Sequence, residues 1–283
     1  MNIIGGLASQ LLAGRVAGAM GSNLLVSEFK RFPDGELYTR ILDDFAGDNV
    51  TIIQSTVNDS DFVALLQLLD ACSEAARINV VIPYMGYARQ DKRFKKGEPI
   101  SARAIARAIK ADNVFTVNIH DESILDYFDA KAVNLDATPM IGKYIKNMEF
   151  KNPVVIAPDD GAIGLARNAA SDLGIDYDFL EKTRLSGESV TIQPKNIAVE
   201  GRDVIIIDDI ISTGGTMAET IAMLKNQGAH GVFAACVHPV FSNNAVLKLF
   251  KAGVRGIIAT DTIDKGVSVV SVAPVIAAAL EAI

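Results

Sequence analysis

Short runs of β-branched and other apolar residues recur along the chain, and most of them lack a polar residue at every second position. They fall at residues 50–53, 80–83, 114–119, 154–158, 204–207, 232–237 and 256–260. A strand covered on both faces has this pattern, because neither face meets water. Between the runs lie stretches with helical spacing. Residues 61–77 place Phe62, Leu65, Leu66, Leu69 and Cys72 on one stripe. Ser101 is expected to cap a second helix over residues 102–110. Residues 161–173 and 216–227 predict two more, with Gly174 and Gly228 as stop signals. Strand and helix in alternation predict an α/β protein with a mostly parallel sheet.

These units are too many for one small sheet. A boundary is expected near residues 137–139, where Pro139 opens a new helix after a loop. The two halves look weakly alike: in each, a helix runs into an apolar strand that ends in proline, over residues 61–83 and 216–239. The polar stretch 179–192, with Gly187, reads as a mobile excursion. The apolar stretches 2–14 and 267–283 are broken off by Arg15 or interrupted by Pro274 and Glu281. They read as buried strands and helices, not as a leader or a membrane span.

Composition narrows the function. The 283 residues include 27 Lys plus Arg against 34 Asp plus Glu, a net charge of −7. That balance argues against nonspecific nucleic-acid binding. It leaves phosphorylated ligands open, because a local loop or a metal reverses the local sign. Cys72 and Cys236 are the two cysteines. They are too few for a disulfide framework, so a reducing cytoplasm is the expected location.

The strongest chemical signal lies at residues 204–216, where an apolar strand runs into Asp208 and Asp209. Ser212, Thr213, Gly214, Gly215 and Thr216 follow, and then a helix. Strand, glycine-rich turn and helix N-terminus together make an anion cradle. The glycines let backbone approach a phosphate, and the hydroxyls add donors. The paired acids suit ribose hydroxyls or a metal. A plain Asp-capped turn needs one carboxylate and no second glycine. Neither a Walker A loop nor a G-x-G-x-x-G pattern is present.

This segment resembles the ribose-5-phosphate loop of type I phosphoribosyltransferases and ribose-phosphate pyrophosphokinases. Four further segments favour the second family. Arg-Phe-Pro-Asp-Gly-Glu at 31–36 resembles its nucleotide loop. Tyr-Met-Gly-Tyr-Ala-Arg-Gln-Asp-Lys at 84–92 resembles its second ATP segment. Asn-Ile-His-Asp-Glu at 118–122 resembles the strand end with its metal-binding histidine. Ala-Pro-Asp-Asp-Gly at 157–161, with Arg167, resembles its metal and pyrophosphate loop. The resemblance implies two similar phosphoribosyltransferase-like domains, residues 1–137 and 138–283, each a mostly parallel sheet flanked by helices.

It also implies roles. ATP is expected at Phe32, Asp34, Gly35, Glu36, Arg89, Gln90 and Asp91. Ribose 5-phosphate is expected at Arg184, Asp208, Asp209, Ser212, Thr213, Gly214, Gly215 and Thr216. Mg²⁺ is expected at His120 and Asp159, and Lys182 and Arg184 are expected as the catalytic pair. Outside the resemblance each piece has a plainer reading. Pro33-Asp34-Gly35 is a turn, residues 89–96 a solvated basic loop, Lys182 and Arg184 surface charge, and His120 a structural side chain. Histidine is also an unusual partner for Mg²⁺, which prefers oxygen.

The implied reaction gives 5-phosphoribosyl 1-diphosphate and AMP. A non-catalytic regulatory relative, or a phosphoribosyltransferase that consumes the diphosphate, are the alternatives. The family further implies a homodimer or higher homo-oligomer whose nucleotide site is shared between subunits. The segment 238–244, His-Pro-Val-Phe-Ser-Asn-Asn, departs from the family pattern linked to regulation. It leaves ADP inhibition and phosphate activation open.

Overall fold

The structure, a computed structural model, describes residues 1–171, 174–184, 190–194 and 198–283. The side chains of residues 182–184 and 190–194 lie outside that description, as do residues 172 and 173 at the end of the predicted helix 161–173 and residues 185–189 in the centre of the excursion 179–192.

The chain forms two compact units. One comprises Met1–Asp136, Thr262–Asp264 and Ser271–Ile283, and the other Ala137–Asp261 and Lys265–Val270. In the first unit β1 (Asn2–Gly5), α1 (Gln10–Met20) and β2 (Asn23–Leu25) lead into a hairpin, β3 (Ser27–Arg31) and β4 (Leu37–Ile41). Then come β5 (Asn49–Ile53), α2 (Asp59–Ala71), β6 (Arg77–Ile82), α3 (Ser101–Ala108), β7 (Asn113–Val117) and β8 (Lys131–Leu135). Six strands form one sheet in the order β2-β1-β5-β6-β7-β8, and every pair is parallel.

The second unit runs α4 (Thr138–Lys146), β9 (Val154–Ala157), α5 (Ile163–Ser171), β10 (Asp176–Arg184), β11 (Val190–Pro194) and β12 (Asp203–Ile210). It continues with α6 (Gly215–Asn226), β13 (Gly231–His238), α7 (Ala245–Ala252), β14 (Gly256–Thr260) and β15 (Ser268–Val270). Its seven-stranded order is β11-β10-β9-β12-β13-β14-β15. Remove β11 and the two sheets have one topology. In each, the first strand lies second from an edge, the next covers that edge, and the rest extend the other way. The likeness of the two halves is therefore topological, which a match of spacings alone leaves open.

The apolar runs are strands for the reason their pattern gives. Val204, Ile205, Ile206 and Ile207 of β12 are all fully buried, so successive side chains meet cover on opposite faces. Val204 and Ile206 pack with Val154, Ile156, Ile221, Val232, Ala234 and Leu249 in the second core. Ile4, Val50, Ile52, Leu65, Leu68, Val80 and Ile82 form the matching core of the first unit.

Three details differ from the sequence reading. Helix α2 starts at Asp59 because Asn58 caps it: its side chain accepts the Asp61 amide while Asp61 accepts the Asn58 amide. Ser101 is the first helical residue of α3 and not its cap: Ile100 holds the cap position, and the Ser101 hydroxyl donates to the Gln90 side chain. The described parts of the stretch 179–192 lie in an antiparallel ribbon, with Lys182 opposite Ile192 and Arg184 opposite Val190. The last helix, α8 (Ala273–Glu281), belongs to the first unit and packs on α1. A single cut after residue 137 would leave it with the second.

Candidate active site

In an open α/β sheet, ligands gather at the carboxyl edge where strand order reverses. In the second unit that point lies between β9 and β12, since β9 pairs with β10 on one side and β12 on the other. Asp159 and Asp160 follow β9, and Asp208 and Asp209 lie near the end of β12. The Asp159 carboxylate accepts the Ala162 amide at 3.2 Å, which ties the loop to the start of α5. Asp208 accepts the Asp209 amide at 2.9 Å. Burial, then the Asp209 carboxylate and more distantly Asp159, push the Asp208 carboxyl up to about 8. The carboxylates crowded at this strand end oppose one another's ionisation. Its oxygen-rich donor set fits sugar hydroxyls, which donate to carboxylates, or a hard divalent cation. Among the described residues no three His, Cys, Asp or Glu side chains form a metal cage. A Mg²⁺ ion bound here would take further oxygens from phosphates and water, as it commonly does.

The loop 212–216 opens α6. Helix α6 has Gly214 as its N-cap, no side-chain bond across its end and no acid in its first turn. Among the described residues no side chain caps its first amides, which suits them to an outside anion. The corresponding turn in the first unit, after β5, is closed to an anion. Asn58 and Asp61 satisfy the end of α2, and Asp59 adds a second acid to its first turn. The Gln54 amide nitrogen donates to the Asp61 carbonyl at 3.1 Å, and the Ser55 hydroxyl to the Thr262 carbonyl at 2.6 Å. Of two topologically equivalent helix starts, only α6 is electrostatically suited to a phosphate.

A second wall backs the α6 loop. The Phe241 amide donates to the Ile211 carbonyl and the Ser242 amide to the Ser212 carbonyl, both at 3.0 Å. The Lys248 ammonium reaches the Thr213 carbonyl at 3.1 Å. Phe241, Asn243 and Asn244 all have positive φ, at 47°, 51° and 61°. Such backbone persists where surrounding bonds over-determine it, and it clusters at functional turns.

In the first unit, residues 31–36 form the tip of the β3–β4 hairpin. The Phe32 amide donates to the Glu36 carbonyl and the Gly35 amide to the Phe32 carbonyl, each at 2.9 Å. Arg31 donates to the Gly35 carbonyl at 2.7 Å and to the Ser60 hydroxyl at 2.9 Å. Asp34 accepts the Glu36 amide at 3.2 Å. Phe32 stays 51% exposed on this braced turn, with its ring edge-on to Tyr38 at 6.1 Å. A stiff turn with an exposed ring and two acids suits a flat base carrying an amino group.

Residues 84–91 follow β6 and are stitched to the turn after β5. The Thr56 amide donates to the Tyr84 carbonyl and the Gly86 amide to the Thr56 hydroxyl, both at 2.9 Å. A Cβ at Gly86 would lie 2.2 Å from the Thr56 carbonyl oxygen, so only glycine fits. Tyr87 has φ of 64°, and its hydroxyl donates to Asp59, which pushes the phenol up. Arg89 is exposed, and Gln90 accepts the Ser101 hydroxyl, which leaves its amide hydrogens for a ligand. His120 is exposed three residues beyond β7, at the same carboxyl edge as residues 84–91. Beside it, hydrogen bonds from Ser123, with the nearby Lys92 ammonium, hold the Asp121 carboxyl below its usual range.

Asp208, Asp209, Asp159 and residues 212–216 thus share one strand edge of the second unit. Phe32–Glu36, Arg89–Asp91 and His120 sit on loops of the first. The sequence reading does not single out Tyr87, Ser242 or Lys248. Asn243-Asn244 is the one signal for that wall, since asparagine tolerates the left-handed region. Cysteine chemistry is excluded: both thiols are free and buried, and burial pushes Cys72 up to about 12.

Comparison with known proteins agrees over the whole chain. Residues 1–112 match the family model for the N-terminal domain of ribose phosphate pyrophosphokinase, and residues 123–273 match the phosphoribosyl transferase domain. The chain is 62% identical over 281 residues to a ribose-phosphate pyrophosphokinase of the archaeon Methanosarcina acetivorans, covering 99% of each. It is 46% identical over 279 residues to ribose-phosphate pyrophosphokinase 2 of Archaeoglobus fulgidus, covering 98% of this chain and 99% of that one. The crystal structure of phosphoribosylpyrophosphate synthetase from Mycobacterium smegmatis matches with a TM-score of 0.83 at 29% identity, over 99% of this chain and 97% of that one.

Proposed function

The chain belongs to the ribose-phosphate pyrophosphokinase family, and from that membership we propose how its residues carry the reaction. It transfers the diphosphoryl group of ATP to the anomeric hydroxyl of ribose 5-phosphate. That hydroxyl oxygen bonds to the β-phosphorus, the bond from the β-phosphorus to the α-phosphate oxygen breaks, and AMP leaves. The products are 5-phospho-α-D-ribose 1-diphosphate, AMP and the hydroxyl proton.

The observation that carries this reading is the pairing of Asp208 and Asp209 with the start of α6, which has neither a side-chain cap bond nor an acid in its first turn. The sugar phosphate sits on the amides and hydroxyls of Ser212, Thr213, Gly214, Gly215 and Thr216. Asp208 and Asp209 accept the ribose hydroxyls. Phe32 stacks on adenine, and Asp34 and Glu36, on either side of Gly35, read its amino edge. Arg89, Gln90 and Asp91 line the triphosphate, with Arg89 as its cation. His120, on its loop of the first unit, and Asp159, on its loop of the second, are the residues that would ligate Mg²⁺, and the ion would supply neutralisation of the triphosphate and a more electrophilic phosphorus.

Lys182 and Arg184, on β10, stabilise charge on the transferred group, and Arg184 also meets the sugar phosphate. Phosphoryl-group transfer leaves a protein little covalent work, so placed cations and excluded water supply most of the rate. The enzyme works as a homodimer or larger homo-oligomer with shared nucleotide sites, in the cytoplasm, where buried free thiols such as Cys72 and Cys236 persist. Release of AMP from ATP only in the presence of ribose 5-phosphate is the direct test. AMP formation without the sugar, or diphosphate release from the phosphoribosyl product with a free base, would overturn it.

A further inference from the structure

We infer that Lys248 is a positioning residue of the sugar-phosphate site: it turns the amides of the 212–214 loop toward the ligand from behind, without touching the ligand itself. The inference rests on the placement of the sugar phosphate on that loop given above.

A planar trans peptide holds its carbonyl and the following N–H on opposite sides. Fixing a carbonyl therefore aims the next amide the other way. Three consecutive carbonyls of this loop, those of Ile211, Ser212 and Thr213, accept from one neighbouring segment. The donors are the Phe241 amide at 3.0 Å, the Ser242 amide at 3.0 Å and the Lys248 ammonium at 3.1 Å. The amides of Ser212, Thr213 and Gly214 then face away from that segment. Among the described residues none of these three amides donates to a protein acceptor. Successive amides pointing into one concavity form a nest for an anion.

The first two braces are backbone and cannot drift without moving β13 and α7. The third is a side chain. It holds the peptide that precedes Gly214, a residue whose lack of a Cβ gives its backbone a wider intrinsic range than its neighbours have. A peptide beside glycine gets the least intrinsic restraint from its own chain and so the most from an outside hold. Lys248 supplies it from the first turn of α7, with the turn 241–244 setting its direction. The serine pair Ser212 and Ser242, with hydroxyls 3.3 Å apart, closes the same wall. Lys248 is exposed, so its loss removes the brace without opening a core.

Lys248→Met keeps the stem and removes donor and charge, while Lys248→Arg keeps both. Steady-state kinetics with ATP, Mg²⁺ and ribose 5-phosphate reads the effect. The Met variant is expected to raise KM for ribose 5-phosphate roughly tenfold, the lower end for a hydrogen bond to a charged group. Its KM for ATP, its kcat at saturating sugar and its thermal midpoint stay near wild type. The Arg variant returns the sugar KM to near normal. Thr216→Val, measured beside them, tests the loop itself. A normal sugar KM in Lys248→Met with a raised one in Thr216→Val overturns the brace alone. Normal values in both overturn the placement of the phosphate and the brace with it. Equal losses for sugar and ATP in Lys248→Met, without rescue by Arg, reduce Lys248 to general structure and also overturn the inference.

Discussion

Gly214 lies against Ala245: a Cβ built on Gly214 would stand 3.2 Å from the Ala245 Cβ and 3.3 Å from its backbone. Its φ is also positive, at 72°. Sterics and backbone conformation thus both require glycine at the cap of α6. Gly214→Ala is expected to cost about 1–3 kcal/mol of stability, the scale of a non-glycine residue forced into sparsely populated backbone. It should also raise KM for ribose 5-phosphate more than KM for ATP, because the strain falls on the phosphate loop. Denaturant unfolding and initial rates check the two parts. A variant with wild-type stability would show that the α7 start yields easily.

Asp208→Asn and Thr216→Val should weaken ribose 5-phosphate more than ATP. Asp208 sits where burial and the Asp209 carboxylate oppose its ionisation. What the variant loses is an acceptor able to become fully anionic opposite a sugar hydroxyl, a contact in the range of about 1.5–3 kcal/mol. Competition kinetics with both substrates reads this. Collapse of ATP affinity with intact sugar affinity would mean that the two sites have been exchanged.

The sequence showed the parallel strands because burial on both faces writes an uninterrupted apolar run, as in residues 204–207. It showed less where one face meets water or the element is short. Strand β2 is three residues long, and the half-exposed β3–β4 hairpin carries charge at Glu28, Lys30, Arg31 and Arg40. The described parts of the stretch 179–192 are strands despite their polarity, because an edge ribbon needs no second cover. Ser101 looks like a cap in sequence, yet its place inside the first turn of α3, with its hydroxyl bonded to Gln90, is visible only in three dimensions. The phosphate loop was legible because glycine and hydroxyl spacing is local. Its rear wall was not, since Lys248 lies 35 residues from the carbonyl it holds. The return of α8 to the first unit is likewise nonlocal and leaves no trace in its apolar composition.

Activity is expected to vanish under EDTA and to return with Mg²⁺. His120→Ala and Asp159→Ala should each raise the Mg²⁺ concentration needed for half-maximal rate. Each stands at a carboxyl strand edge, on loops that follow β7 and β9, and neither is part of a three-residue cage among the described residues. A site with few protein ligands loses much of its affinity when one goes, while the substrate phosphates retain the rest. Titration of rate against Mg²⁺ at fixed ATP checks both. Unchanged metal dependence in the two variants would remove them from the metal shell.

Lys182→Ala should cut kcat roughly 100-fold or more, the scale of losing one transition-state electrostatic group. The backbone of Lys182 pairs with Ile192 in the β10–β11 ribbon, so the substitution removes no ladder bond. KM for ribose 5-phosphate should change little. Single-turnover rates at saturating substrates test it, and near-normal turnover would take Lys182 out of the chemistry.

The nucleotide site is expected to draw on two subunits. The turn at residues 31–36 is braced from within by Arg31 and by its own backbone, yet Phe32, Asp34 and Glu36 all stay exposed. Rigidity without cover suits a turn that meets its ligand beside a neighbour's residues. Lys182→Ala and the double variant Asp34→Ala/Glu36→Ala should each be nearly inactive alone. Unfolded and refolded together in equal amounts, they pair at random, so about half of the closed two-fold dimers are mixed. A mixed dimer has one site with both defects and one with neither. About a quarter of wild-type activity should therefore return, since half the dimers each carry one intact site of two. Differently tagged subunits show whether mixed dimers formed. If they form and the mixture stays as inactive as its parents, each site is built within one subunit and the turn serves its own chain.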